Sequence, residues 1–224
     1  MVRLVLFDID GTLIRTGGAG MKAFAKVFAT EFNVPNGTER ISFSGRTDPS
    51  IVREFFTRHQ IDPVEENFHR FFDSYVFWLD QVLGQNPGKV LPGVKNLLDQ
   101  LGALPEPPAI GLLTGNVRLG AQIKLTHYGL WDHFETGAFG DDHEDRNQIA
   151  AIALSRGQKL LQRDLHGAET LVIGDTPFDI ACAKAIGARA LAVATGSYQL
   201  GQLQEYAPTW AVADLEQVCV GEIL

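Results

Sequence analysis

Short apolar runs recur along the chain, and the stronger ones end in polar residues or glycine. The first covers 2–7 and leads into Asp8 and Asp10. The later runs are 109–113, 170–173 and 190–193, with weaker ones at 134–140 and 210–212. Runs of this length that are apolar on both faces predict the buried strands of a parallel sheet. Helices are predicted between them, among others at 118–128, 147–163 and 178–186, so the pattern predicts an α/β fold with a doubly wound parallel sheet.

One segment, 16–88, lacks this alternation. Its apolar residues recur only at helical spacing, which predicts an insert of three or four helices. We interpret its aromatic stripes, for example Phe24 and Phe71, as packing within the insert, with a ligand cage as the alternative. The predicted organisation is therefore a core made of 1–15 and 89–224 and a helical insert of 16–88.

Polar side chains follow three of the predicted strands. They are Asp8, Asp10 and Thr12 after the first strand, Thr114, Gly115 and Asn116 after the second, and Asp175 and Asp179 after the third. The carboxyl ends of parallel strands share one edge of a sheet, so we expect these residues to converge. Asp8, Asp10 and Asp175 then form an all-oxygen site of the kind that Mg²⁺ prefers. Taken alone, the Asp8–Gly11 segment is also typical of a turn.

A loop of the insert, 42–50, has two compatible interpretations. Thr47 or Asp48 caps the next helix, with Pro49 in its first turn. Arg46, which follows a glycine, is a residue type suited to binding an anionic group.

Composition excludes several classes of protein. The net charge of −8 and the absence of a basic run argue against a nucleic-acid partner. No stretch approaches the roughly 20 apolar residues that span a bilayer, and the first residues do not form a signal peptide. Two cysteines, Cys182 and Cys219, are too few for a disulfide framework. We therefore expect a cytoplasmic protein without a membrane partner; the sequence does not predict its oligomeric state.

In the order and spacing of these motifs the chain resembles the haloacid dehalogenase superfamily. The Asp8–Thr12 segment resembles its first motif, Thr114 its second and the Gly174–Asp179 segment its fourth. The insert resembles the helical C1 cap of the superfamily, and the Gly45–Asp48 segment resembles the cap loop of phosphoglycolate-phosphatase-like members. The resemblance implies a Rossmann-like core and a Mg²⁺-dependent phosphatase.

The resemblance also implies roles for the acidic residues. Asp8 would be the nucleophile that forms an aspartyl-phosphate, and Asp10 the general acid and then the general base. Mg²⁺ would be held by Asp8, Asp175 and the backbone carbonyl of Asp10, with Asp179 acting from behind these ligands.

Further residues are implied to hold the substrate. Thr114 would take part in catalysis by holding phosphate oxygens together with the amide of Gly115. Thr12, Asn116 and Arg46 would complete the substrate-binding residues.

The third motif departs from the family pattern. The family supplies a Lys there, often followed by Pro, and no Lys-Pro occurs between Asn116 and Gly174. Arg146, at the start of a predicted helix, is the predicted substitute cation, and Lys159 within that helix is the alternative. A surface role for Arg146 is a third interpretation.

Several activities fit the resemblance less well. Asp10 favours phosphoryl chemistry over dehalogenation, and the cap loop has Arg46 rather than the Lys that a phosphonatase needs. The alternatives that remain are a phosphosugar mutase of the same fold and a non-catalytic regulator that binds a phosphorylated ligand. We predict a small phosphorylated metabolite as substrate, with phosphoglycolate as the first guess.

Overall fold

The computed structural model describes residues 1–85 and 87–224, and a six-stranded sheet lies at its centre. In chain order the strands are β1 (Leu4–Phe7), β2 (Ile14–Arg15), β3 (Lys89–Val90), β4 (Ala109–Leu113), β5 (Thr136–Ala138), β6 (Thr170–Gly174), β7 (Arg189–Val193) and β8 (Trp210–Val212). The sheet has the order β5–β4–β1–β6–β7–β8, and each of its pairings is parallel. This confirms the predicted doubly wound α/β core.

Strand β1 lies in the middle of the sheet because its residues are apolar on both faces. Leu4 and Leu6 pack into the apolar cluster on one face, and Val5 and Phe7 into the cluster on the other. The chain runs outward from β1 through β4 to β5, then crosses back to β6 on the other side of β1. The strand order thus reverses beside β1, and ligands of such sheets bind at this point, beyond the carboxyl ends of the strands.

Helices connect the strands and form the insert. They are α1 (Ala19–Phe32), α2 (Asp48–Arg58), α3 (Glu65–Leu83), α4 (Val94–Gly102), α5 (Arg118–His127), α6 (Arg146–Leu161), α7 (Pro177–Ala185), α8 (Leu200–Gln204) and α9 (Val220–Ile223). The predicted helices at 118–128, 147–163 and 178–186 are α5, α6 and α7, with ends shifted by no more than two residues. In the described part of the chain, no helix combines the length and the apolar character needed to cross a membrane.

Helices α1, α2 and α3 pack around aromatic side chains. Phe28 stacks on Phe55 with ring centroids 3.5 Å apart, and Phe24 meets Phe71 and Tyr75 edge-on at 4.9 and 4.8 Å. The interpretation of the aromatic stripes as packing is confirmed. All three helices fall within 16–88, but the exact division of the chain into core and insert stays a prediction.

An antiparallel ribbon, β2 with β3, joins the two crossings between core and insert. Ile14 pairs with Val90 and Arg15 with Lys89. The sequence did not predict this ribbon, because two residues per strand carry no periodicity. The ribbon holds the entrance and the exit of the insert side by side, above the carboxyl edge of the sheet.

Candidate active site

A cavity of about 880 Å³ lies between the carboxyl edge of the sheet and helices α1–α3. Polar, charged and aromatic side chains from both sides line it, including Asp8, Asp10, Asn116, Lys124, Arg146 and Asp175 from the core and Phe24, Phe43, Arg46, Asp48 and Tyr75 from the insert. The residues predicted to converge at the sheet edge therefore do so beneath the insert.

Three carboxylates form the floor of the cavity. Asp8, Asp175 and Asp179 are buried, and an oxygen of each lies within 4.8 Å of the others. Burial raises the pKa of Asp8, and the negative charge of Asp179 raises it further. Burial likewise raises the pKa of Asp175, reinforced by Asp179 and Asp8. Three carboxylates share one neighbouring cation, Arg146, so the cluster has an excess of negative charge that suits a hard cation.

The oxygens of these carboxylates are engaged to different extents. Asp179 pairs through Oδ1 with Arg146 Nη2, and its Oδ2 accepts hydrogen bonds from Thr176 N at 2.9 Å and Thr176 Oγ1 at 2.7 Å. Asp175 Oδ1 accepts one from Thr12 Oγ1 at 3.1 Å. Both carboxylate oxygens of Asp179 are thus engaged by neighbouring residues, whereas Asp8 and Asp175 retain oxygens that could bind Mg²⁺. The Thr12 hydroxyl is directed at Asp175, and its binding of substrate stays a prediction.

Two glycines leave room for the Asp175 carboxylate. A Cβ on Gly196 would lie 1.6 Å from Asp175 Oδ2, and one on Gly11 would lie 2.5 Å from the same atom. Gly11 also adopts a φ of 92°, which residues with side chains rarely adopt. The carboxylate therefore occupies space that any larger residue at either position would fill.

Arg146 lies beside the nucleophile predicted from the sequence. It is the first residue of α6, whose N-cap, Asp145, accepts a hydrogen bond from Asn147 N at 2.8 Å. Its Nη2 pairs with Asp179 and lies 3.6 Å from Asp8 Oδ1. Burial lowers the pKa of Arg146, but Asp179 and Asp8 raise it above its ordinary value. The surface interpretation of Arg146 is wrong, and the alternative cation, Lys159, is exposed in the last turn of α6.

The segment after β4 meets the cap loop. Thr114 Oγ1 accepts hydrogen bonds from Asn116 N at 3.3 Å and Asn116 Nδ2 at 2.9 Å, which leaves its own proton available to an acceptor. A Cβ on Gly115 would lie 2.2 Å from the Arg46 carbonyl oxygen, so the two loops touch only because Gly115 has no side chain. Gly115 O also accepts a hydrogen bond from Asp48 N at 2.7 Å.

The cap loop itself begins α2. Thr47 is the N-cap and accepts a hydrogen bond from Ser50 N at 3.3 Å, with Pro49 in the first turn, so the capping interpretation is confirmed. The Arg46 guanidinium lines the cavity but pairs with Glu54 and donates to Ser50 O at 2.9 Å. Anion binding by Arg46 stays a prediction.

Asp48 has a role that the sequence did not indicate. Its buried carboxylate accepts a hydrogen bond from Val117 N, at the start of α5, at 2.9 Å. Burial raises the pKa of Asp48 to about 6. The residue thereby ties the insert to the core.

Lys124 is the other residue missed from the sequence. Its Nζ lies 2.6 Å from Asp10 Oδ2 and 2.5 Å from Asn116 Oδ1. Lys124 shares the buried face of α5 with Gly120, Ala121 and Leu125. The available signal was a lysine at a helical position where the spacing calls for an apolar residue.

Comparison with known sequences decides the family. The sequence model of haloacid dehalogenase-like hydrolases matches residues 5–193. The chain belongs to this family. The resemblance drawn from the motifs is confirmed, as is the prediction that the chain is a hydrolase of this type.

Relatives of this haloacid dehalogenase-like hydrolase cover nearly all of it. The probable phosphatase IndB of Dickeya dadantii (strain 3937) is 30% identical over 97% of this chain and 92% of its own length. The phosphoglycolate phosphatase of Rhodobacter capsulatus is 28% identical over 84% of this chain and 82% of its own length. The crystal structure of CbbY from Rhodobacter sphaeroides in complex with phosphate has the same fold, with a TM-score of 0.76, 17% identity, and 97% and 96% of the two chains covered.

Proposed function

We propose that this haloacid dehalogenase-like phosphatase hydrolyses a small phosphomonoester with the help of Mg²⁺ and through an aspartyl-phosphate on Asp8. The observation that carries the proposal is the buried pair Asp8 and Asp175, whose carboxylate oxygens are not all engaged by neighbouring residues. The pair lies at the floor of a cavity that also contains Asp10 and Arg146.

Asp8 and Asp175 are the residues that would hold Mg²⁺, with the Asp10 carbonyl predicted as a third protein ligand. Bound there, Mg²⁺ supplies positive charge that offsets the repulsion between carboxylate and phosphoryl oxygens and stabilises the transition state. Asp179 keeps Arg146 and Thr176 in place behind these ligands.

The reaction needs two proton transfers. A carboxylate oxygen of Asp8 attacks phosphorus, the bond from phosphorus to the leaving oxygen breaks, and Asp10 gives its proton to that oxygen. A water molecule then attacks the aspartyl-phosphate, Asp10 takes one of its protons, and inorganic phosphate is released with the Asp8 carboxylate restored. The order requires one group that is first an acid and then a base.

Three neighbours would hold the phosphoryl group. The Thr114 hydroxyl has a proton to donate, and the Gly115 amide is predicted to act beside it. Arg146 carries a positive charge next to Asp8, and its Nε is buried without a hydrogen-bond partner among the described residues. The guanidinium therefore keeps donor capacity for a phosphoryl oxygen.

The cavity indicates the class of substrate. About 880 Å³ accommodates a small metabolite, and Arg15, Arg46 and Lys89 add basic side chains to its walls. Phosphoglycolate, which carries a carboxylate besides its phosphate, remains the first substrate to test, because three relatives are named for it. A phosphosugar mutase and a non-catalytic regulator remain the alternatives.

The test is phosphate release from a panel of small esters that includes p-nitrophenyl phosphate and phosphoglycolate, with Mg²⁺ and with EDTA. We expect metal-dependent release that falls by about 10³-fold or more in Asp8→Asn, as when other hydrolases lose their nucleophile. Asp99→Asn, an exposed aspartate of α4, is the control and should keep full activity. No release by the wild type would favour the mutase or the regulator, and undiminished release by Asp8→Asn would refute the nucleophile.

A further inference from the structure

We propose that Lys124 is a positioning residue for Asp10: it fixes the carboxylate so that one oxygen, Oδ1, faces the reacting group. The inference rests on the proposed function, in which Asp10 carries the proton. It follows from a buried lysine that bridges two residues of the sheet edge, Asp10 and Asn116, and that belongs to none of the motifs.

Lys124 is only 4% exposed, and lysines are almost never buried to that extent without partners. Its ammonium contacts Asp10 Oδ2 at 2.6 Å and Asn116 Oδ1 at 2.5 Å. Asn116 closes the ring, since its Nδ2 donates to Asp10 Oδ2 at 2.9 Å. The three side chains therefore hold one another, and the Asn116 amide is oriented at both of its ends.

The ring treats the two oxygens of Asp10 differently. Oδ2 accepts both donors, whereas Oδ1 takes part in no hydrogen bond among the described residues. The Asp10 side chain is 43% exposed, and the residue lines the cavity. Oδ1 is thus the atom left to give a proton to a leaving oxygen or to take one from water.

The fold explains why a lysine serves here. Lys124 lies on α5 where the core meets the insert: a Cβ on Gly20 of α1 would lie 3.5 Å from Lys124 Nζ and 3.9 Å from the Tyr75 hydroxyl. A long side chain reaches from α5 to Asp10, and Gly20 leaves space for its charged end. Two other cations of the cavity, Arg46 and Arg146, have carboxylate partners of their own in Glu54 and Asp179.

The first test separates turnover from substrate binding. Lys124→Met keeps an unbranched side chain that is one atom shorter and removes its charge. We expect kcat for p-nitrophenyl phosphate to fall about 10- to 100-fold, part of the 10²- to 10⁴-fold that general acid–base catalysis contributes. KM should change less than about 2-fold, because Lys124 acts through Asp10. Lys124→Arg should recover part of kcat, and Lys159→Met, an exposed lysine of α6, should have no effect. A rise in KM at constant kcat would overturn the proposal and indicate contact with substrate.

The second test is a double-mutant cycle. In an Asp10→Asn background, Lys124→Met should reduce kcat by no more than about 2-fold, because coupled residues lose their effect together. The same loss in both backgrounds would show that Lys124 does not act through Asp10. Lys124→Gln, which keeps a donor, takes the same place in the cycle if the Met variant does not fold.

A third readout needs no turnover. In a crystal structure of Lys124→Met we expect the Asp10 carboxylate to have left Asn116, and a carboxylate that stays in place would overturn the proposal. A wild type inactive on every ester would refute the proposed function, and this readout would still decide the role of Lys124.

Discussion

The side chain of Arg146 supplies the positive charge beside the carboxylates at the floor of the cavity. It lies between Asp8 and Asp179, both buried, and is itself 8% exposed. Removing it leaves two buried carboxylates without the cation that lies between them. Such a loss costs far more than the loss of an ion pair on the surface, because an unpaired buried charge keeps its full desolvation penalty.

We therefore expect Arg146→Met to lower the free energy of unfolding by about 3 kcal/mol, as for a broken buried pair. Urea denaturation at neutral pH with EDTA measures the change. Arg163→Ala breaks the exposed Arg163–Glu169 pair and should cost less than about 1 kcal/mol. Equal losses of unfolding free energy in the two variants would contradict the role of Arg146 as the cation of a buried ion pair.

The sequence could predict Arg146 but not Lys124, for a physical reason. Arg146 lies where the family places a cation and where a predicted helix begins, so the sequence favoured it over Lys159. The role of Lys124 follows only from its partners, Asp10 and Asn116, which the packing of α5 against the sheet edge brings to it. The helical spacing of apolar residues can indicate that Lys124 lies on a buried face, but it cannot predict which side chains Lys124 contacts there.

At the scale of elements, Asp48 joins the N-terminal end of α2 to the N-terminal end of α5. Its carboxylate accepts the Val117 amide that begins α5, while Lys124, Asp10, Asp141 and Tyr75 are the charged and titratable groups around it. Burial raises the pKa of Asp48 to about 6 from an ordinary value of 3.8. The folded protein therefore binds a proton at Asp48 more tightly than the unfolded chain does.

This shift predicts the pH dependence that Asp48→Asn removes. The stability contributed by the neutral carboxyl is fully present below the unfolded pKa of 3.8 and is lost as pH rises through about 6. The free energy of unfolding of the variant, relative to the wild type, should thus rise by about 1–3 kcal/mol from pH 4 to pH 7, at 1.36 kcal/mol per pKa unit. Denaturation across this range with EDTA measures it. A constant difference between the two proteins would contradict the raised pKa.

Elements differ in how far the sequence predicts them. Strand β1 was predicted because its run is apolar at every position, and helix α3 because its apolar residues recur at helical spacing over many residues. The β2–β3 ribbon was not, because Ile14 and Val90 are far apart in the chain and each strand has two residues. The pairing of the two strands depends on the folding of the insert between them, which a local sequence pattern cannot predict.

At the scale of the whole molecule, the proposed metal site is assembled from three strand ends. Asp8 follows β1, Asp175 follows β6 and Gly196 follows β7, so the site exists only when the sheet is complete. Parallel topology allowed the convergence to be predicted from the sequence. The space that Gly196 leaves for Asp175 could not be, because it depends on how closely the strand ends approach.

Binding of Mg²⁺ should therefore stabilise the whole folded protein against unfolding. At a concentration 100 times its dissociation constant, Mg²⁺ should raise the free energy of unfolding by about 2.7 kcal/mol. The pKa values of Asp8 and Asp175 are raised by burial, so protons compete with the cation. At one fixed Mg²⁺ concentration, the stabilisation should grow as pH rises, because the carboxylate ligands lose their protons.

Gly196→Ala tests whether this stabilisation comes from the proposed site. The added Cβ would lie 1.6 Å from Asp175 Oδ2, so the carboxylate has to move and the effect of Mg²⁺ on thermal unfolding should disappear. Gly201→Ala adds the same atom where nothing lies within 4 Å and should leave the effect intact. An undiminished Mg²⁺ effect in Gly196→Ala would place the cation elsewhere. An effect that weakens as pH rises would show that the ligands are not carboxylates with raised pKa values, because deprotonation can only strengthen binding at such a site.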